Sequence, residues 1–477
     1  MNMKSIILIF SLLVIGLTNS FGQLADTAWS LQKCIDYAIS NNLTIRQSQL
    51  NADNSYVSLE QSKANRIPVV SGTATQGFSF GRSIDPFSNQ FINQNIRSNN
   101  FSLSGSWVLF NGLQIQHQIQ QNKLNYQSDL YQVEADKSTL IVSIVQGYYQ
   151  ILLAQEQVSN AQLQVASTQS QIERTEKQVR AGSVAEINLI QLQSQLANDK
   201  LTLTNAENQI YLAKVSLMQL LNLPLQDSFT IVTPAEGELI PGSVNVMTTE
   251  QIFQDALGTQ PIIKSLEYNK ESTIVGIRTA KGSKYPRLTF NSQVFTGYSS
   301  ARSLTIINGT QITTIGFLQS NPSELVSTQQ TRITKQNYPF RRQLSDNVSE
   351  NFTFNLTIPI LNNRQARTNI DRARLNLKAA EVQEENGKLQ LRKNIEQAYA
   401  NMKSSENSFN AAKATVDLQE QNYLNSERRF NLGMLSPYDF LIQKNTFFQA
   451  KYTYSQMKYQ YFLYSKVLEF YQKNKLQ

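Results

Sequence analysis

Few side chains in this sequence can do covalent or metal chemistry. Its 477 residues include one cysteine, Cys34, and one histidine, His117. One thiol excludes an internal disulfide, and one imidazole excludes a histidine-rich metal site or a two-histidine motif. Neither residue stands in a catalytic motif; both fall on polar helical stretches, where a surface or packing role is the simpler reading. There is no phosphate-binding loop, no dinucleotide fingerprint and no G-x-S-x-G elbow. The formal charge is +8, but only 16% of residues are charged and the Lys and Arg are scattered, so no nucleic-acid footprint is formed. No cofactor is implied, and an enzyme is the least favoured class.

The elements that carry the remaining polar residues are long. Proline is absent between Pro86 and Pro224, and only Pro437 follows Pro359, so these gaps can hold long helices. Two breaks interrupt them, KQVRAGSVAEINLI at 177–190 and RRFNLGMLSPYDFL at 428–441. Gly182 and Gly433 suit the left-handed position that closes a helix. Ser183 with Glu186 reads as a capping box, and Ser436-Pro437 as an N-cap followed by proline at the first helical position. The breaks are therefore expected to be hairpin tips, both at the end away from the strands.

The two breaks lie 251 residues apart, and the same shift places FSLSGSWVLFNG (101–112) on FTFNLTIPILNN (352–363). A shift of 218 places Ala38 on Ala256 and Pro68 on Pro286; the difference is one insertion between about 299 and 350. The chain thus reads as an internal duplication. A first repeat spans 23–224, with a helix at 31–66, strands at 69–80 and 100–110, and coiled-coil helices at 112–181 and 184–222. A linker follows at 225–247. The second repeat, 248–477, has a helix at 249–284, strands at 287–298 and 351–361, and helices at 363–432 and 437–473. A heptad row runs through the first pair of helices (Ile144, Ile151, Ala161, Thr168, Thr175, then Leu192, Asp199, Leu217) and through the second (Leu391, Ile395, Met402, Phe409, Tyr423, Phe430, then Phe440, Phe447, Tyr461, Leu468). Lys4, the apolar run SIILIFSLLVIGL, and small residues at Ser20 and Gly22 predict a signal peptide over 1–22.

The strands alternate. Phe101, Leu103, Trp107 and Leu109 share one face, as do Phe352, Phe354, Leu356 and Ile358; the opposite faces carry Ser102, Ser104, Ser106, Thr353, Asn355 and Thr357. A sheet that is apolar outside and small-polar inside suits a membrane barrel with a wet lumen, its apolar row facing lipid. Four strands cannot close, and open edges are intolerable in hydrocarbon, so several copies must pool their strands. The bland alternative is a soluble four-stranded sheet with one face on the helices. The fold class expected is an α+β membrane protein completed by oligomerisation. The loops at 81–99 and 299–350 are expected to face outside the cell.

This layout resembles the TolC-like outer-membrane efflux proteins over nearly the whole chain. The most specific elements are the doubled order and the tip pattern, a glycine followed six residues later by Asp-aromatic-Leu (Gly433; Asp439-Phe440-Leu441). LQKCIDYAISNN is also similar to the family's first helix. The resemblance implies a homotrimer in a Gram-negative outer membrane, extended into the periplasm as a helical tunnel and serving as exit duct of an efflux or type I secretion system. It implies hairpin tips (Arg180, Gly182, Ser183, Val184; Gly433, Met434, Leu435, Ser436) that meet a periplasmic adaptor joined to an inner-membrane pump. It also implies acidic residues narrowing the periplasmic entrance. Asp439 matches one such position, whereas Ile442 and Asn188 stand uncharged at related ones. A structural or adhesive trimeric coiled-coil surface protein is the competing reading, and a periplasmic adaptor a third.

Overall fold

The computed structural model describes residues 28–84, 89, 91–93, 95–234 and 247–473. The expected signal peptide and most of the expected linker lie outside them. In chain order the elements are β1 (Ala28–Trp29), α1 (Leu31–Asn41), α2 (Leu43–Ala64), β2 (Val69–Ser79), β3 (Arg82–Ile84), β4 (Phe91–Asn93), β5 (Ile96–Asn111), α3 (Gln114–Arg180), α4 (Glu186–Leu220) and β6 (Thr230–Ile231). Then follow α5 (Thr249–Thr259), α6 (Pro261–Gly282), β7 (Arg287–Ser299), β8 (Ser303–Leu318), β9 (Asn321–Asn337), α7 (Phe340–Asp346), β10 (Ser349–Thr357), α8 (Gln365–Asn431) and α9 (Pro437–Lys473).

The long helices α3 and α8 have 67 residues each, or about 100 Å at 1.5 Å per residue. Three expectations need correction. The helices expected over 31–66 and 249–284 are each two. Asn42 ends the first with an extended backbone and caps α2 through its side-chain oxygen, which accepts from the Thr44 and Ile45 amides. Extended Gln260 before Pro261 divides the second, since proline restricts the residue before it. The insertion at 299–350 is a long β8–β9 hairpin and the short helix α7 rather than a loop.

Two compact units cut across the repeats. One comprises Met1–Tyr56, Leu124–Glu271 and Lys378–Gln477, as far as described; the other comprises Val57–Lys123 and Ser272–Leu377. The helical unit holds two cores. Cys34, Ala38, Ile144, Ile151 and Leu217 anchor the first; Ile252, Ala256, Ile395, Met402 and Leu468 anchor the second. These are equivalent positions under the duplication, so the repeat extends to its buried side chains. Cys34 is fully buried, and burial pushes its thiol up to about 12. It is a packing residue in a core, not on a polar surface.

In the other unit, β10, β7, β5 and β2 form one antiparallel sheet in that order. Each repeat turns from strand to helix through two consecutive left-handed residues, Gly112 and Leu113 (φ 66° and 61°) and, 251 residues later, Asn363 and Arg364 (φ 48° and 61°). A side chain is uncommon in that region, so the recurrence marks a demanded swivel. At Gly112 the backbone also comes close to Gly282 O, leaving no room for a Cβ.

Candidate functional site

Two sets of residues qualify, the tips of the helical hairpins and the exposed face of the sheet. At the first tip, Gly182 has φ 71°; its amide donates to Val179 O (2.9 Å) and that of Ser183 to Gln178 O (3.0 Å). At the second, Gly433 has φ 73°, with the same two bonds from Gly433 to Phe430 O (3.0 Å) and Met434 to Arg429 O (2.8 Å). This paired closure satisfies the last carbonyls of each helix and requires the left-handed residue that glycine supplies. Arg180 is exposed and lies 3.6 Å from Glu176, Val184 and Leu435 are half-buried, and Met434 is exposed.

The second tip restarts as expected. Ser436 Oγ accepts from the Asp439 amide (3.1 Å) and donates to Asp439 Oδ2 (2.7 Å), while Pro437 opens α9. Asp439 is exposed and lies in the first helical turn, where a carboxylate also interacts favourably with the helix dipole. The first tip differs. The expected Ser183–Glu186 capping box is absent: α4 starts at Glu186 with Ala185 as its N-cap and no side-chain bond. Ser183 Oγ instead donates back to Gln178 O (2.9 Å), so the hydroxyl closes α3 rather than opening α4. Asn188 is half-buried, and Ile442 is exposed.

Between the hairpins lies a cluster that sequence reasoning did not assemble. Lys444 on α9 and Asp199 on α4 are both fully buried, with Nζ 3.2 Å from Oδ2. Thr168 on α3 sits between them, accepting from Lys444 and donating to Asp199. Gln164 and Gln195 donate to Asp199 Oδ1 at 2.8 and 2.7 Å, and Gln164 O accepts from Lys444 (3.2 Å). Burial holds the Lys444 ammonium below the usual lysine range, and Asp199 opposes part of that shift. The knot ties both helices of the first hairpin to the second helix of the other. Asp199 and Thr168 stand in the predicted heptad row; Lys444, four residues after Phe440 and three before Phe447, lies at seam spacing but outside that row. Nearer the tips, Arg174 donates to Asn431 Oδ1 (2.6 Å), again between repeats.

The sheet carries the second set. Leu103 pairs with Val294, Trp107 with Phe290, and Phe354, Leu356 and Phe352 with Phe290, Leu288 and Ser292. Directly paired residues share a face, so these side chains, Ser292 apart, form one apolar surface, and Phe101, Leu103, Trp107, Phe352, Phe354 and Leu356 are all exposed. Two details depart from expectation. The register shifts between Val108 and Phe110, so Phe110 pairs with Leu288 and Leu109 sits at the bulge. Ile358 is exposed but lies just past the end of β10. Trp107 Nε1 donates to Arg66 O (2.8 Å). On the other face Ser106 Oγ lies 2.9 Å from Asn291 Oδ1 and the Ser71 and Ser104 hydroxyls are 3.0 Å apart. No group of metal-ligating side chains occurs among the described residues, and no described helix is long and apolar enough to cross a membrane.

A family model described as outer membrane efflux protein matches residues 34–223 and 253–465. The chain is similar to the toxin and drug export protein A of Aggregatibacter actinomycetemcomitans, 19% identical over 436 residues, covering 90% of this chain and 83% of the relative. Among solved structures it is similar to the Campylobacter jejuni CmeC outer membrane channel (TM-score 0.73, 17% identity, 94% of this chain and 86% of that one). It is also similar to the open state of the Neisseria gonorrhoeae MtrE outer membrane channel (TM-score 0.69, 16% identity, 93% and 88%).

Proposed function

Because the chain belongs to the outer membrane efflux protein family, we propose that three copies pool their strands into one outer-membrane barrel. The helices extend into the periplasm and lead solutes out of the Gram-negative cell as the exit duct of a tripartite efflux or type I secretion system. The observation that carries this reading is the sheet. It has an exposed apolar face, a hydrogen-bonded polar face, and outer edges on β10 and β2 that pair with nothing among the described residues. Unpaired backbone groups are not tolerated in hydrocarbon, and four strands fall short of the smallest bacterial barrels, at about eight. The likeness to toxin and drug export protein A supports a transport role. The channel supplies a path, and energy would come from an inner-membrane pump through an adaptor docking on the two glycine-closed tips. Purified mature protein is expected to run as a trimer by native mass and to conduct in planar bilayers; a stable, fully folded monomer would refute the reading.

The entrance is assigned to Asp439. Three symmetry-related copies bring three exposed carboxylates around one axis. Asp439→Ala is therefore expected to change single-channel conductance and cation preference. The change should grow at low salt, because screening acts over about 10 Å at 0.1 M. Asn188→Ala should change selectivity less. If Asp439 acts only as the cap partner of Ser436, its replacement lowers stability by up to about 1 kcal/mol and leaves selectivity unchanged.

A further inference from the structure

The β8–β9 hairpin presents a face with five large apolar side chains that nothing among the described residues covers. Ile307, Ile312 and Phe317 on β8 are spaced by five residues, an odd interval that would alternate faces in a regular strand. The register shifts once in each interval, between Ile307 and Thr310 (with Gly309 at φ 89°) and between Thr314 and Gly316. Each bulge restores the phase, so all three side chains share a face with Ile333, opposite Ile307, and Leu325, opposite Phe317. These five are 56% to 75% exposed. Thr310, Thr314, Ser327, Gln329 and Thr331 stand between them on the same face, and the other face presents Ile306, Gln311, Thr313, Val326, Thr328 and Gln330. Bulges are positioned features rather than accidents, and here they build one apolar row on a ribbon whose strands pack chiefly on each other. A lone two-stranded ribbon is marginal in water, and an uncovered apolar row is an association surface.

We propose that this face is covered by the same face of the ribbons of the other two copies, forming a cap ringed around the outer mouth of the barrel. The inference rests on the trimer proposed above. The ribbon is inserted between β7 and β10, and β10 is the edge strand that must pair with a neighbouring copy when the barrel closes. The cap is thus continuous with the interface between copies. Reach is sufficient: twelve strands about 4.8 Å apart and tilted about 40° enclose a radius of about 12 Å, whereas a 16-residue strand extends about 50 Å. Tethering on one rim also raises the local concentration of the partner ribbons to the millimolar range.

The chain suits a cysteine test, because its only thiol, Cys34, is buried and pushed up to about 12, which makes it slow to react. Ile312→Cys and Gln330→Cys variants would be treated on intact cells with a short membrane-impermeant bismaleimide, and separately with a bulky maleimide. Ile312→Cys is expected to yield covalent dimers of this chain and to react with the bulky reagent about tenfold more slowly than Gln330→Cys, as a covered position should. If native mass shows trimers but the Ile312→Cys variant neither crosslinks between copies nor is protected, the cap is wrong and the trimer stands. Crosslinks from the Ile312→Cys variant to a different protein would overturn the choice of occupant. If no trimer forms, both readings fall together.

Discussion

Asp199→Ala is expected to destabilise the helical unit by about 3–5 kcal/mol, the usual consequence of leaving one member of a buried ion pair unpaired. The residue left behind is Lys444, fully buried among α3, α4 and α9, and only Thr168 and Gln164 O would remain to accept from it. The pH dependence carries a sign. A lysine whose folded pKa lies below its unfolded value binds fewer protons when folded, so stability rises with pH through the window between the two. Burial already places Lys444 below its ordinary 10.5, and Asp199 opposes that shift. Without the carboxylate the window widens downward. The variant should therefore regain more stability than the wild type on moving from neutral to mildly alkaline pH. The readout is the midpoint of thermal loss of helicity at the two pH values. Asp199→Leu combined with Lys444→Met should recover most of the loss, because a well-packed apolar pair is often as stable as the ion pair it replaces. Equal melting of Asp199→Ala and wild type would mean that the pair holds nothing. The pair's placement fits a role in register: it is a buried ion pair that joins the two repeats, as a buried polar group can do in a coiled coil.

Leu356→Arg is expected to block assembly into lipid, whereas Asn355→Arg is tolerated. Leu356 lies opposite Leu288 on the exposed apolar face, and Asn355 lies opposite Thr289 on the polar one. A charge on the lipid face costs about 2–4 kcal/mol at mid-membrane and falls toward zero near the interfaces. In the proposed trimer, each substitution would be felt three times. Folding into vesicles, followed by resistance of the assembled protein to heating, measures both variants side by side. Equal impairment would contradict the assignment of faces.

Much of this protein is legible in its sequence because its signals are periodic. Heptads over many turns announce the long helices, and Gly182, Gly433 and Ser436-Pro437 mark their ends by backbone requirements that few residues meet. Alternation along 101–109 and 352–358 identifies the apolar face. The duplication sharpens each reading by showing it twice. Where periodicity failed, so did the reading. The row Ile307, Ile312, Phe317 fits neither a strand nor a helix until two bulges are known, so the ribbon passed for a loop. The Leu109 register was missed at a bulge for the same reason.

What the sequence determined alone is therefore what local geometry dictates: helix lengths and stops, strand faces, and the repeat that relates them. The tertiary structure decided which distant groups meet. Lys444 and Asp199 are 245 residues apart, and no local rule couples them; burial makes the pair obligatory, because neither charge is tolerated alone in the seam. It also decided what Ser183 does, since a hydroxyl near a tip can close one helix or open the next, and here it donates to the carbonyl of Gln178. Sheet order was likewise a tertiary matter: β5 lies beside β7 across the repeats because side-chain rows in both had to share one apolar face.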